Sequence, residues 1–242
     1  MRIKNLLKRL VWVLVIAVAL IGFGFLAVWL KQDKNWDLYN YHFYNGYAYL
    51  NGRLNWDVQP AQLQTYLNPI IDVPLYLLAT HLSARVTAFV MGVLHGFNFL
   101  LLLGISYAAL KKVFKSAGVT FLWALSLALV GFIAPTSIAE HGASMNDNTV
   151  TIPFLFSLWL LLIAQRKTQT KWRWLLVSGA VAGLAFGLKQ SIGPYIVGLG
   201  AALVITSQTW NFWLRRLGSW TLAFVVGFLT INGHWMLTLW EN

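Results

Sequence analysis

Apolar and polar stretches alternate along the chain in blocks too long for a soluble domain. The run 10–30 is apolar throughout and long enough to cross a hydrocarbon core of about 30 Å. Arg2, Lys4, Lys8 and Arg9 precede it, and it ends in LAVWLKQ, a poor cleavage site. That combination predicts a retained signal-anchor helix rather than a secretory signal. Six further spans are predicted at roughly 86–110, 119–139, 149–164, 174–188, 192–206 and 217–239. The expected fold is therefore an all-α polytopic bundle of about seven transmembrane helices, forming a single membrane domain over 1–242. Spans five and six are short and rich in glycine (Gly179, Gly183, Gly187, Gly193, Gly198, Gly200). Small residues let helices approach closely, which predicts a tight hairpin there.

The stretch 31–85 breaks the pattern. It is too polar to span and too aromatic to be an idle loop. On a helical wheel over 37–51, Asp37, Asn40, Tyr44, Tyr47 and Asn51 share one stripe, and Leu38, Tyr41, His42, Ala48 and Tyr49 share the opposite one. This predicts an amphipathic helix lying at the membrane surface and stopped by Gly52. The segment 69–82, PIIDVPLYLLATHL, is shorter than a span and contains Pro69, Asp72 and Pro74. It is expected to be a second interfacial helix on the same side.

Charge orients this picture. Residues are 58% hydrophobic and 10% charged, against about 25% charged in soluble domains. The net charge of +11 would suit nucleic acid, but the basic residues fall between apolar runs, so nucleic acid is excluded as a partner. With the N-terminus inside, the segments 1–9, 111–118, 165–173 and 207–216 hold 13 of the 18 basic residues; Lys31, Lys34, Arg53, Arg85 and Lys189 make the other five. This positive-inside bias predicts a multi-pass protein of a bacterial inner membrane with a cytoplasmic N-terminus. All seven acids fall on or near the outer side. The absence of cysteine excludes disulfides and thiol chemistry.

Three groups could carry chemistry. Asp37 opens the first interfacial helix, as a helix cap or as a catalytic carboxylate. The aromatics beside it belong to an interfacial belt or to a binding surface. The outer loop EHGASMNDNTVTIP places Glu140, His141 and Asp147 close together on the same side as Asp37, where two carboxylates could converge. As a metal site it lacks recognised ligand spacing. Lys189, Arg53 and Arg85 either snorkel to the interface or meet a phosphate. His95 and Asn98 lie inside the second span, where pairing with a neighbouring helix is the expected state of the histidine.

At these residues the chain resembles the GT-C superfamily of polytopic glycosyltransferases, in particular aminoarabinose transferases and protein O-mannosyltransferases. Asp37 matches the family's first-loop acid, and PIIDVPLYLLATHLSAR its second interfacial helix and exit. KKVFK matches a basic inner turn, NDNTVTIPF a second acidic loop, and GLAFGLKQ a glycine-rich span ending in lysine. The likeness covers about 10–240. It departs where Leu38 and Tyr39, rather than a second acid, follow Asp37, and where the paired proline is split into Pro69 and Pro74. The later spans of typical members are missing, implying a short member or an N-terminal portion.

The resemblance implies a polyprenyl-phosphate sugar as donor and a lipid, glycan or protein as acceptor, joined with inversion at the extracytoplasmic face. It implies that Asp37 acts as general base or orients the acceptor. Lys189, with Arg53 or Arg85, would meet the phosphate. Asp147, with Glu140 or His141, would complete the site or hold a divalent metal. Tyr39, Asn40, His42, Tyr44 and Trp56 would line the substrate. A transporter or flippase and a non-catalytic assembly subunit are the competing readings. Transporters place ionisable groups near the bilayer midplane, whereas the acids here gather at one face.

Overall fold

The computed structural model describes residues 2–30, 33–53, 56–57, 62–166, 171–206 and 210–241. Lys31 and Lys167, and the side chains of Arg2, Lys4, Lys8, Arg9, Arg166 and Lys171, all used in the charge argument, lie outside the described residues.

Regular structure among the described residues is entirely helical. The first helix, α1, runs Arg2–Leu30. In the first loop a π-helical turn, Leu38–His42, leads into α2, Phe43–Leu50. A short 3-10 turn at Pro69–Ile71 leads into α3, Val73–His81. Then follow α4 (Ala84–Leu110), α5 (Ala117–Phe132), α6 (Pro135–Ala139), α7 (Asp147–Arg166), α8 (Lys171–Leu188), α9 (Gly193–Ile205) and α10 (Trp210–Glu241). Val13–Leu30, Ala84–Leu110, Asp147–Gln165 and Leu214–Glu241 are long and apolar enough to cross a membrane, and three shorter apolar helices accompany them. The chain is an all-α membrane helix bundle.

Local sequence explains where elements stop. The expected span 119–139 breaks at Phe132, because Pro135 drives Ala134 into an extended conformation (ψ 139°) and starts a separate turn. Gly52 ends the first interfacial segment in the left-handed region at φ +61°, where a side chain would be strained. The segment 69–82 is a 3-10 turn followed by a helix, with each proline near the start of its element, where its missing N–H is harmless.

Two packed groups form the core. Phe23 and Leu26 of α1 meet Phe99 of α4 and Ala128 and Phe132 of α5. Val150 and Leu161 of α7, Ala182 and Ala185 of α8, Leu199 and Leu203 of α9 and Trp220 of α10 form the other. Packing of α4 against α7 joins them. Within the second group, Ser157 and Ser178 exchange hydrogen bonds with each other's carbonyls at 2.9 and 3.0 Å, and Trp220 Nε1 donates to Ser178 Oγ. These buried polar groups are thereby satisfied, as an apolar setting requires.

The glycines of α8 do not serve a tight hairpin with α9. Gly179 and Gly183 lie against the α10 backbone at Trp220 and Phe224, while Gly198 of α9 faces open space. Close packing runs between α8 and α10.

One end of the bundle gathers the polar connections. Asn68 Nδ2 donates to the Gly187 and Ile231 carbonyls and to Asn232 Oδ1 at 2.9 Å, tying the first loop to α8 and α10. Trp235 Nε1 donates to the Tyr66 carbonyl at 3.0 Å. The Ser144 backbone N–H donates to Asp33 Oδ2 at 2.6 Å, closing the loop after α6 onto the exit of α1.

Candidate functional site

The site is built where the first loop meets the starts of α4 and α7 and the end of α8. His42, at the end of the π-helical turn, and Asn45, Gly46 and Ala48 of α2 are buried. A Cβ at Gly46 would sit 2.6 Å from Tyr76 Cβ and 3.1 Å from the Asp72 carbonyl, so only glycine lets α2 and α3 approach this closely. That approach brings His42 to Asp72. His42 Nδ1 donates to Asp72 Oδ1 at 2.7 Å, and Asn146 Nδ2 donates to the same oxygen at 2.7 Å. Three segments far apart in sequence thus meet in one buried polar cluster, with exposures of 2%, 3% and 4% for His42, Asp72 and Asn146.

The residues next to this cluster carry the remaining carboxylates. Tyr41 lies in the field of Asp37, Asp72 and Asp147; burial first, then Asp37, push its phenol well above the ordinary range. Asp37 is not a helix cap: its backbone is helical and its side chain makes no capping bond. Asn35 caps instead, its Oδ1 accepting from the Leu38 N–H at 2.7 Å. Lys189 Nζ donates to Asp147 Oδ2 at 2.8 Å, with the two side chains 26% and 44% exposed. Glu140 is raised above its usual range by burial and by Asp147, with Lys189 opposing. Asp37 and Asp147 thus act on Tyr41, and Asp147 in turn links Lys189 and Glu140.

Other expected residues lie apart. Arg53 Nη2 donates to Asp57 Oδ1 at 2.6 Å, and the Tyr44 hydroxyl donates to Asp57 Oδ2 at 2.7 Å. Burial and then Asp57 push the Tyr44 phenol up to about 12, while Arg53 and Tyr44 hold Asp57 below the carboxylate range. A depressed carboxylate stabilises its folded setting above its unfolded pKa and loses that contribution as pH falls through its folded value. Asp57→Asn is expected to bring the Tyr44 phenol back down towards the ordinary tyrosine range, read by its ultraviolet absorbance in alkaline titration. Tyr39 and Trp56 are exposed, Arg85 is exposed at the start of α4, and Asn40 Nδ2 bonds back to the Trp36 carbonyl.

His141 turns into the bundle rather than joining Asp147. It is buried, its Nε2 donates to the Phe23 carbonyl at 3.0 Å, and its ring packs edge-on against Phe23 and Phe132. Burial holds it below the usual imidazole range. His95 is paired with its neighbours: it accepts from the Gly142 N–H at Nδ1 and bonds Thr149 Oγ1 through Nε2, while Asn98 Nδ2 donates to the Asn148 carbonyl. Among the described residues no three His, Asp or Glu side chains converge as a metal site. With Asp147 on Lys189 and His141 on a carbonyl, the expected donor set does not fit a divalent ion.

Two cavities adjoin the site. One of about 40 Å³ is walled by Tyr41, His42, Asn68, Asp72, Asn146, Lys189 and Gln190, among others. The other, about 390 Å³ and mainly apolar, lies between Leu38, Tyr39, Phe43, Leu75, Ala79 and the first turn of α4.

Sequence reasoning assigns no site role to Asp72 or Tyr41, and counts Asn146 only within the outer loop with Glu140, His141 and Asp147. Asp72 was a usable signal: an acid between Ile71 and Val73 needs a partner when it packs. His42, on the apolar stripe of the predicted helix, was the side chain available to supply it.

The family model described as dolichyl-phosphate-mannose-protein mannosyltransferase matches residues 73–236. The match runs from α3 through most of α10 and includes Asp147 and Lys189, but not Asp37 or His42. No curated protein and no solved structure matches the chain.

Proposed function

This chain belongs to the dolichyl-phosphate-mannose-protein mannosyltransferase family, membrane glycosyltransferases of the GT-C type, and we propose that it transfers a sugar from a polyprenyl-phosphate donor to an acceptor at the extracytoplasmic face of a bacterial inner membrane. The observation that carries the reading is that Tyr41, in the field of Asp37, shares a cavity wall with Lys189, which pairs with Asp147 at one end of the bundle. That end is opposite the basic turn Lys111–Lys115, which the positive-inside bias assigns to the cytoplasm.

In this reading the acceptor is a lipid, glycan or protein bearing a hydroxyl or amine. Asp37 holds that group by accepting its hydrogen bond, aligning it behind the anomeric carbon. Lys189 leaves Asp147 for the donor phosphate as the glycosidic bond breaks and charge develops on the leaving oxygen. The exchange is cheap because the Lys189–Asp147 pair is partly exposed, and exposed pairs contribute at most about 1 kcal/mol. Asp147 and Glu140 hold the ammonium ready between turnovers. The 390 Å³ apolar groove beside Tyr39 suits the start of a polyprenyl chain, with Tyr39 and Trp56 available to stack on sugar rings. Tyr44 and Arg53 shape the neighbouring rim, with Arg85 exposed at the start of α4.

The test uses the purified chain in lipid nanodiscs with a radiolabelled polyprenyl-phosphate sugar. Sugar release or transfer is expected, with Lys189→Met lowering kcat by about 100-fold. A wild-type protein that neither transfers nor hydrolyses such donors, or a Lys189→Met protein with unchanged kcat, would sink the reading.

A further inference from the structure

We propose that His42, backed by Asp72 and Asn146, takes up the acceptor's proton during glycosyl transfer; the inference rests on the transferase reading above. It begins with the tautomer. A carboxylate only accepts hydrogen bonds. At 2.7 Å from Asp72 Oδ1, His42 Nδ1 must carry the proton. Asn146 Nδ2 lies 3.2 Å from Nδ1 and 2.7 Å from the carboxylate, so its N–H is spent on Asp72. The lone pair of the neutral ring is then on Nε2.

Nε2 is buried and has no hydrogen-bond partner among the described residues. Buried polar atoms left unpaired are rare, and each calls for an explanation. The histidine sits on the wall of the 40 Å³ cavity with Tyr41, Lys189 and Gln190. That space is enough for one water, and a base can act through one water. The cavity's walls connect it to both halves of the candidate site: Tyr41 lies in the field of Asp37, and Lys189 bonds Asp147.

Asp72 stands against the ring as the counter-charge for a proton arriving here. A proton on Nε2 makes an imidazolium whose charge is met directly by Asp72, itself held by Asn146. Tyr41 and Lys189 share its cavity wall; Asp37 lies in the field of Tyr41, Asp147 pairs with Lys189, and Glu140 lies in the field of that pair. Asp37 keeps the role of aligning the acceptor.

The step balances as follows. The acceptor oxygen or nitrogen forms a bond to the anomeric carbon. The bond from that carbon to the phosphate oxygen breaks, and its electron pair leaves on the lipid phosphate. The acceptor's proton passes through the cavity water to His42 Nε2 and returns to solvent after product leaves.

The experiment uses the full chain in nanodiscs with a polyprenyl-phosphate sugar and, separately, with histidine labelled by nitrogen-15 in the ring. His42→Asn keeps a donor towards Asp72 but removes the Nε2 base. It is expected to lower kcat about 100-fold with donor KM unchanged, and to abolish the acid limb of the kcat–pH profile. Asp72→Asn, which keeps the base but removes its counter-charge, is expected to move that limb to lower pH. The labelled wild type is expected to show His42 with its proton on Nδ1. A wild-type rate or a retained acid limb in His42→Asn overturns the proposal, as does a proton found on Nε2. If His42→Asn does not fold, the acid-limb shift in Asp72→Asn decides, and an unmoved limb overturns it. A wild-type protein inactive on every lipid-phosphate sugar defeats the transferase reading, and with it the proton's origin; the label then reports separately whether the His42–Asp72 pair is built as described.

Discussion

Asp37→Asn is expected to lower kcat for sugar transfer by about 100-fold while leaving donor KM within a few-fold of wild type. The substitution is nearly isosteric. Asp37 makes no capping bond and Asn35 still caps the segment, so the turn Leu38–His42 keeps its place. What is lost is negative charge facing the acceptor. A carboxylate grips an attacking hydroxyl or amine more strongly than an amide does, and charge-assisted hydrogen bonds are about twice as strong as neutral ones. Misalignment of the attacking group is felt in kcat rather than in donor binding. Tyr41→Phe is the matching control: it keeps the charge and removes only the hydroxyl, so a smaller loss is expected. Initial rates at saturating donor, on protein of equal monodispersity, make the comparison. An Asp37→Asn protein with wild-type kcat would remove Asp37 from the site.

Much of this architecture is legible in the chain, and the parts that are not have identifiable causes. The apolar runs mark the membrane helices because burial in lipid demands an unbroken apolar stretch. Gly52 and the two prolines mark local stops because their backbone constraints act within a few residues. The polar end of the bundle follows from the clustering of acids. What stays hidden is pairing across long separations. Asp72 looks like a reason against a span, yet its meaning lies in contact with His42, 30 residues earlier, and Asn146, 74 residues later. Likewise the α8 glycines announce close packing without naming the partner. Adjacency suggests α9, but α10 presents the backbone that fits them. His141 has the composition of a ligand and the position of a loop residue, and only the Phe23 carbonyl explains its inward turn.

The partner of those glycines leads to the largest expected effect on stability. Gly183→Ala is expected to destabilise the bundle by at least about 1–3 kcal/mol and to lower transfer activity with it. A Cβ at Gly183 would clash with the Phe224 carbonyl and lie 2.7 Å from the Phe228 nitrogen. Both are backbone atoms, so no rotamer change relieves the contact and the helices must part. Gly227 of α10 makes the reciprocal approach to the Ala180 carbonyl, so parting at one position loosens the other. The displacement reaches the site, because Asn68 bridges the Gly187 carbonyl of α8 to Ile231 and Asn232 of α10, and Lys189 follows directly. Gly218→Ala supplies the opposite sign from the same chemical change. Gly218 lies in α10 with nothing within 4 Å of its added methyl, so alanine's better helix propensity is expected to stabilise by up to about 1 kcal/mol. Melting temperatures in nanodiscs, read by loss of the monodisperse size-exclusion peak, separate the two. Equal melting temperatures for Gly183→Ala and Gly218→Ala would mean that the close α8–α10 contact does not hold the bundle together.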